Sequence, residues 1–208
     1  MTFILGLTGS IGMGKSTTAE LFRAEGIPVH DADAAVHALY RGRAVAAIAA
    51  AFPAAIREGA VDRPSLSAAV LGKPDALNRL EAIIHPFVRE EEEAFLRRCR
   101  RTGAGLAVLD VPLLLETAGE GRCDAVLVVS APPEIQRERV LARPGMTQDK
   151  LAAILARQMP DAEKRARAHF IVDTSRSVLA AGRQVGSILR ALAGRPGHSG
   201  QQRTASHA

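Results

Sequence analysis

Residues Gly9 to Ser16, GSIGMGKS, fit the spacing G-x-x-x-x-G-K-[ST]. They fall between a short continuous apolar run, Thr2 to Thr8, and a helix-compatible stretch that starts after Lys15 and stops at Gly26. That context constrains the chain more than the motif alone. A strand buried on both faces must run into a tight glycine turn that opens a helix, which commits the chain to strand-helix-strand architecture. Gly9, Gly12 and Gly14 let the backbone turn and present N–H groups inward, where they and the positive helix end hold phosphate oxygens. Lys15 then bridges β- and γ-phosphates, and the Ser16 hydroxyl is the candidate ligand for Mg²⁺.

The remaining pattern fits that frame. Ile27 to His30, Gly105 to Val111, Asp124 to Ser130 and His169 to Asp173 read as further strands, separated by helix-compatible sequence. The expectation is an α/β, three-layer P-loop NTPase fold with a five-stranded parallel sheet, an inserted helical substrate subdomain and a helical lid. The core is expected over 1–41, 103–142 and 166–194, the insertion over 42–102 and the lid over 143–165, all in a single domain of 1–194. The insertion reads as helices only, with His85 and Pro86 at the end of one helix and Phe87 to Arg101 forming another. In that last piece acids come first and bases last, with Glu93 and Arg97 at i,i+4, as a solvated helix requires. Residues 195–208 contain no large apolar side chain and are expected to be a disordered tail.

Composition narrows the function. The chain of 208 residues carries 27 Lys and Arg against 22 Asp and Glu, a net charge of +5, which permits either nucleic acid or an anionic small molecule as partner. Aromatics are only 3% and Trp is absent, so stacking platforms for single strands are lacking. Only Lys15, Lys73, Lys150 and Lys164 are lysines, so arginine supplies nearly all the positive charge. A compact ammonium at Lys15 is therefore a departure from the chain's habit. Two widely spaced cysteines, Cys99 and Cys123, suit a reducing compartment, and neither a signal peptide nor a membrane span is legible, so a cytoplasmic location is expected.

Asp31 and Asp33 are two apart, so in extended chain both project from one side of a strand end. Asp33 is the candidate base for a substrate hydroxyl or an outer partner of magnesium through water; either acid could instead cap the helix Ala34 to Tyr40. Asp110 ends an apolar run and reads equally as a magnesium-orienting acid or as a turn acid before Pro112. Arg139 and Arg143 share a helix face and, with Arg157 in the next helix, could lay guanidinium charge on a transferring phosphoryl group. His85 could touch substrate or the last carbonyls of its helix; His37 reads as an ordinary, partly exposed histidine. No N-K-x-D guanine reader is present, and these parts are those of a small-molecule kinase.

The ordered set GLTGSIGMGKST at Gly6 to Thr17, VHDAD at Val29 to Asp33, IIHP at Ile83 to Pro86, DVPLLLE at Asp110 to Glu116 and the region Gln136 through Gln158 resembles the dephospho-CoA kinase family. The resemblance implies ATP-dependent phosphorylation of the 3′-hydroxyl on the ribose of dephospho-CoA, the last step of coenzyme A synthesis, with Mg²⁺ accompanying ATP. It further implies Asp33 as general base, Lys15 and Arg143 as stabilisers of phosphoryl charge, and an ATP site of Gly9, Ile11, Gly12, Met13, Gly14, Lys15, Ser16, Thr17, Arg139 and Arg143. Thr8, Asp33, His85 and Asp110 fall on the substrate side. The partners expected are these two small molecules, without nucleic acid or membrane, and the chain a monomer or weak homo-oligomer. Another small-molecule kinase, or an ATP-binding adaptor without catalysis, remains open from the residues alone.

Overall fold

The computed structural model describes residues 1–197, which separate into two compact units, 1–30 with 99 onward and 31–98. Of the stretch expected to be disordered, 198–208 lies outside the described residues; Gly197 is buried and lies against the Thr2 backbone.

The first unit is built on a five-stranded sheet. Its strands are β1 (Phe3–Thr8), β2 (Val29–Asp31), β5 (Leu106–Asp110), β6 (Ala125–Ser130) and β7 (Phe170–Asp173), in the order β2-β5-β1-β6-β7. The strands β5, β1, β6 and β7 pair in parallel, and the Val108 N–H donates to the Pro28 carbonyl just ahead of β2 at 2.9 Å. Parallel pairing demands crossovers, and the helices supply them: α1 (Lys15–Ala24), α6 (Pro133–Leu141), α7 (Gln148–Leu155), α8 (Asp161–Ala166) and α9 (Val178–Leu192). Because both faces are covered, the central strands are apolar in unbroken runs. Phe3, Leu5 and Leu7 of β1 and Leu127 and Val129 of β6 pack with Phe22 of α1 and Val185, Ile188 and Leu192 of α9. The alternate β6 residues Val126 and Val128 pack the other way, onto Leu114, Leu115 and Met159.

The second unit holds α2 (Ala32–Leu39), α3 (Val45–Ala51), a short hairpin of β3 (Ile56–Arg57) and β4 (Ala60–Val61), α4 (Arg63–Val70) and most of α5 (Pro74–Arg101). Three expectations differ from the structure here. The unit is not helices only, because Glu58 and Gly59, both at positive φ, turn the chain into the antiparallel β3-β4 pair. Nor does a helix end at Pro86: α5 runs 28 residues straight through it. Proline removes one backbone donor, yet Leu80 and Ile84 before it and Phe87 and Val88 after it join the same apolar cluster, and that shared burial outweighs one missing bond. Glu93 and Arg97 do pair, at 3.4 Å. The compact unit also begins at 31 rather than 42, since Leu39 of α2 packs with Ile48, Phe52 and Leu66.

Leu127 is fully buried in β6 between helix layers. Leu127→Ala should lower unfolding stability by about 2–5 kcal/mol, the usual cost of a leucine-sized core cavity, read as a reduced denaturant midpoint at unchanged slope.

Candidate functional site

Sheet register determines where the chemistry sits. β1 pairs with β5 so that Leu7 lies beside Asp110, and the loop Gly9 to Gly14 leaves β1 immediately beyond that pair. Lys15, the first residue of α1, reaches back and places its ammonium 2.6 Å from Asp110 Oδ1. Asp110 is 2% exposed and stands at the end of β5. This is the C-terminal edge of a parallel sheet, where α/β folds bind ligands.

The loop itself is tied down from several sides. Gly12 and Gly14 have φ of 77° and 90°, in the left-handed region. At Gly12 an added Cβ would also come within 2.5 Å of Val140 on α6. Gly14 caps α1 and, having no side chain, puts none of its own on the first-turn N–H groups that favour an anion. The Thr174 hydroxyl donates to the Met13 carbonyl at 2.8 Å, and the Ala131 N–H lies 3.1 Å from Met13 Sδ. Ile11 is gripped by two glutamines: Gln136 Nε2 donates to its carbonyl at 2.8 Å, and its N–H donates to Gln158 Oε1 at 3.1 Å.

Beside the loop lies a groove of about 350 Å³ lined by Gly12, Gly14, Thr17, Arg139, Arg143, Thr174 and Arg176. Exposed Ser16 and Thr17 stand in the first turn of α1. A larger hollow of about 810 Å³ between α1 and α9, lined by Leu21, Glu25, Val178 and Leu179 among others, contains none of the loop glycines. Arg143 lies past the end of α6 rather than within it, and is exposed. Arg139 is engaged: it donates to the Thr174 hydroxyl at 3.0 Å and to the Thr174 carbonyl at 2.7 Å. Thr8 is fully buried and its hydroxyl donates to the Pro112 carbonyl at 3.0 Å, which fastens the segment after β5.

In the other unit the two acids divide. Asp31 caps α2 by accepting from the Ala34 N–H at 2.9 Å, while Asp33 is exposed in the first helical turn. The extended-chain picture of both acids on one side of a strand therefore does not hold, because the strand ends at Asp31 and the helix starts one residue later. Asp33 lines a shallow groove with Ala34, His37, Ala38 and Arg41. His37 accepts a hydrogen bond from Arg63 Nη1 at 2.7 Å through Nε2. His85 is exposed within α5, and not at a helix end as expected, since the helix continues through Pro86.

Gln136, Gln158 and Thr174 are loop-holding residues without a distinguishing sequence signal, since lone Gln and Thr side chains carry no spacing rule. The same holds for the pair of Lys164 and Glu116. Lys164, with no solvent exposure, lies 2.7 Å from Glu116 Oε1, which also accepts from the Met159 N–H at 2.9 Å. Burial opposes ionisation of Glu116, but the Lys164 bond and charge and the Met159 amide outweigh it and hold the carboxyl below its ordinary value.

A family model described as dephospho-CoA kinase matches residues 3–179. A dephospho-CoA kinase of Mesorhizobium japonicum is 59% identical over 194 residues, 93% of this chain and 98% of its own length. Among solved structures, a protein from Thermus thermophilus is 38% identical with a TM-score of 0.81, over 93% of this chain and 99% of that one. The dephospho-CoA kinase from Campylobacter jejuni, 21% identical, shares the fold with a TM-score of 0.64 over 92% of this chain and 97% of its own.

The depressed Glu116 gives a pH dependence of defined sign. Its ion contributes stability above the usual glutamate range near about pH 4.3, and the contribution is lost as pH falls through the lower folded value. The melting temperature of Glu116→Gln should lie furthest below wild type near neutral pH, and the gap should close as pH is lowered beneath the usual glutamate range. A gap that stays constant with pH would show that the charge of Glu116 contributes nothing.

Proposed function

The chain belongs to the dephospho-CoA kinase family and is an ATP-dependent kinase acting on dephospho-CoA; on that premise we propose how its own residues carry the transfer. The observation that carries the assignment is the tethered glycine loop with Lys15 held on Asp110 at the sheet's C-terminal edge. The loop amides and the N-terminus of α1 bind the β- and γ-phosphates of ATP, with Gly9, Ile11, Gly12, Met13, Gly14, Ser16 and Thr17 forming the cradle. Lys15 moves its ammonium between Asp110 and the phosphates as a mobile point charge. Arg143, exposed on the wall of the groove, stabilises charge on the transferring phosphoryl group. Arg139 acts chiefly through Thr174, which it holds against the loop.

Asp33 accepts the proton of the ribose 3′-hydroxyl as that oxygen bonds to the γ-phosphorus; the bond from the γ-phosphorus to the bridging oxygen breaks and ADP leaves. Its exposure in the first turn of α2 leaves the carboxylate accessible to an incoming hydroxyl. His85 and the groove beside Asp33 serve the acceptor, and Thr8 serves by positioning the segment after β5. The donor set near the loop, a serine hydroxyl on the first turn of α1 and the Asp110 carboxylate, consists of hard oxygens that suit Mg²⁺. Ser16 would hold the ion directly, with Asp110 or Asp33 acting through water. When bound, Mg²⁺ neutralises charge on the phosphate oxygens. Among the described residues no helix is long and apolar enough to cross a membrane.

ADP release should be stimulated by dephospho-CoA well above the level seen with AMP or shikimate in its place, and acceptor-independent ADP release alone would defeat the assignment. Asp33→Asn should lower kcat by about 10²–10⁴ while leaving ATP affinity within about twofold, since a general base acts in the transition state and not in nucleotide binding.

A further inference from the structure

Both the backbone donor and the backbone acceptor of Ile11, in the loop, are taken by side chains from elsewhere in the chain. The two partners are of opposite polarity. Gln136, in α6, offers its amide nitrogen to the Ile11 carbonyl at 2.8 Å. Gln158, just beyond α7, offers its amide oxygen to the Ile11 N–H at 3.1 Å. Between these glutamines the chain runs through Arg143 and α7, so they bracket the first part of the lid segment expected over 143–165, Gln136 ahead of it and Gln158 within it. Neither glutamine floats. Gln136 is 7% exposed and its helix packs against Gly12, while the neighbour of Gln158, Met159, donates its N–H to Glu116, which in turn is paired with buried Lys164.

We propose that Gln136 and Gln158 are positioning residues that clamp Ile11 from either side of the segment carrying Arg143 and α7, so that the nucleotide-ready shape of the phosphate loop depends on the base of that segment being seated. The proposal rests on the kinase reading of this site and adds to it a route by which the lid acts on ATP binding without touching ATP. Each bond is worth little by itself, about fivefold in an equilibrium constant for a neutral hydrogen bond. The requirement on polarity is strict. The Gln136 site must donate, because a carbonyl faces it; the Gln158 site must accept, because an N–H faces it.

Replacing each glutamine with glutamate separates this clamp from mere packing. Glutamate keeps the size and adds the same charge near the same loop in both cases, but it can only accept. Binding of a fluorescent N-methylanthraniloyl-ATP to the full chain should therefore be weakened at least about fivefold more in Gln136→Glu than in Gln158→Glu. Gln158→Leu should weaken binding relative to Gln158→Glu despite carrying no charge, and KM for dephospho-CoA should move less than KM for ATP. Equal losses in the two glutamate variants, or a greater loss in Gln158→Glu, would overturn the clamp. If Gln136→Glu does not fold by thermal melting, Gln136→Met carries the comparison against Gln158→Glu, and Gln136→Met binding as tightly as wild type would overturn it as well. Wild-type protein that binds no ATP would overturn the kinase reading itself, which is a separate outcome.

Discussion

The loop between Gly9 and Lys15 must hold a backbone conformation that exposes its own N–H groups, and the turn bond within it, from the Met13 N–H to the Ser10 carbonyl at 3.1 Å, is joined by contacts from outside. Left-handed geometry at Gly12 and Gly14 is available to glycine at little steric cost but is not preferred enough to be unique. The conformation is selected from outside: Ile11 by Gln136 and Gln158, Met13 by Thr174, and Lys15 by Asp110. These partners come from α6, from the segment after α7 and from the ends of β7 and β5, so the site exists only when the sheet and its flanking helices are in place. Preorganisation of this kind allows donors to face developing charge without reorganising during the reaction.

The same dependence explains how positive charge is distributed. Arginine supplies most of the chain's cations, and it does the work of forked contacts, as where Arg139 grips both oxygens of Thr174. Two of the four lysines stand where a point charge meets a carboxylate. Lys15 meets a single carboxylate oxygen of Asp110, and Lys164, with no solvent exposure, meets a single oxygen of Glu116. A buried lysine is tolerated only with such a partner, and the contact is lost when acid protonates Glu116. The basic character of the chain thus has local uses that net charge does not report.

Much of the architecture is legible because strands buried on both faces leave unbroken apolar runs. Thr2 to Thr8 and Asp124 to Ser130 announce β1 and β6 to within a residue, and the closing helix Val178 to Leu192 is bounded by Ser177 as its cap. The reading fails where a local signal competes with burial. Pro86 suggests a helix end, but apolar residues on both sides of it share one cluster and the helix continues. Asp31 and Asp33 look equivalent at a strand end, yet a single residue of register makes one a cap and leaves the other exposed. The Glu58-Gly59 turn is too short a signal to announce a hairpin of two-residue strands.

The sequence by itself determined the phosphate loop, the parallel sheet and the resemblance that names the reaction, because glycine spacing, lysine identity and apolar periodicity are local properties of the chain. Only the tertiary structure decided which side chains hold the loop. Gln136, Gln158, Thr174 and Glu116 are ordinary residues far from it in sequence, and they matter because sheet order and helix packing bring hydrogen-bonding groups of the right polarity to Ile11, Met13 and Met159. Hydrogen bonding depends on distance and direction, and neither is encoded in spacing along the chain.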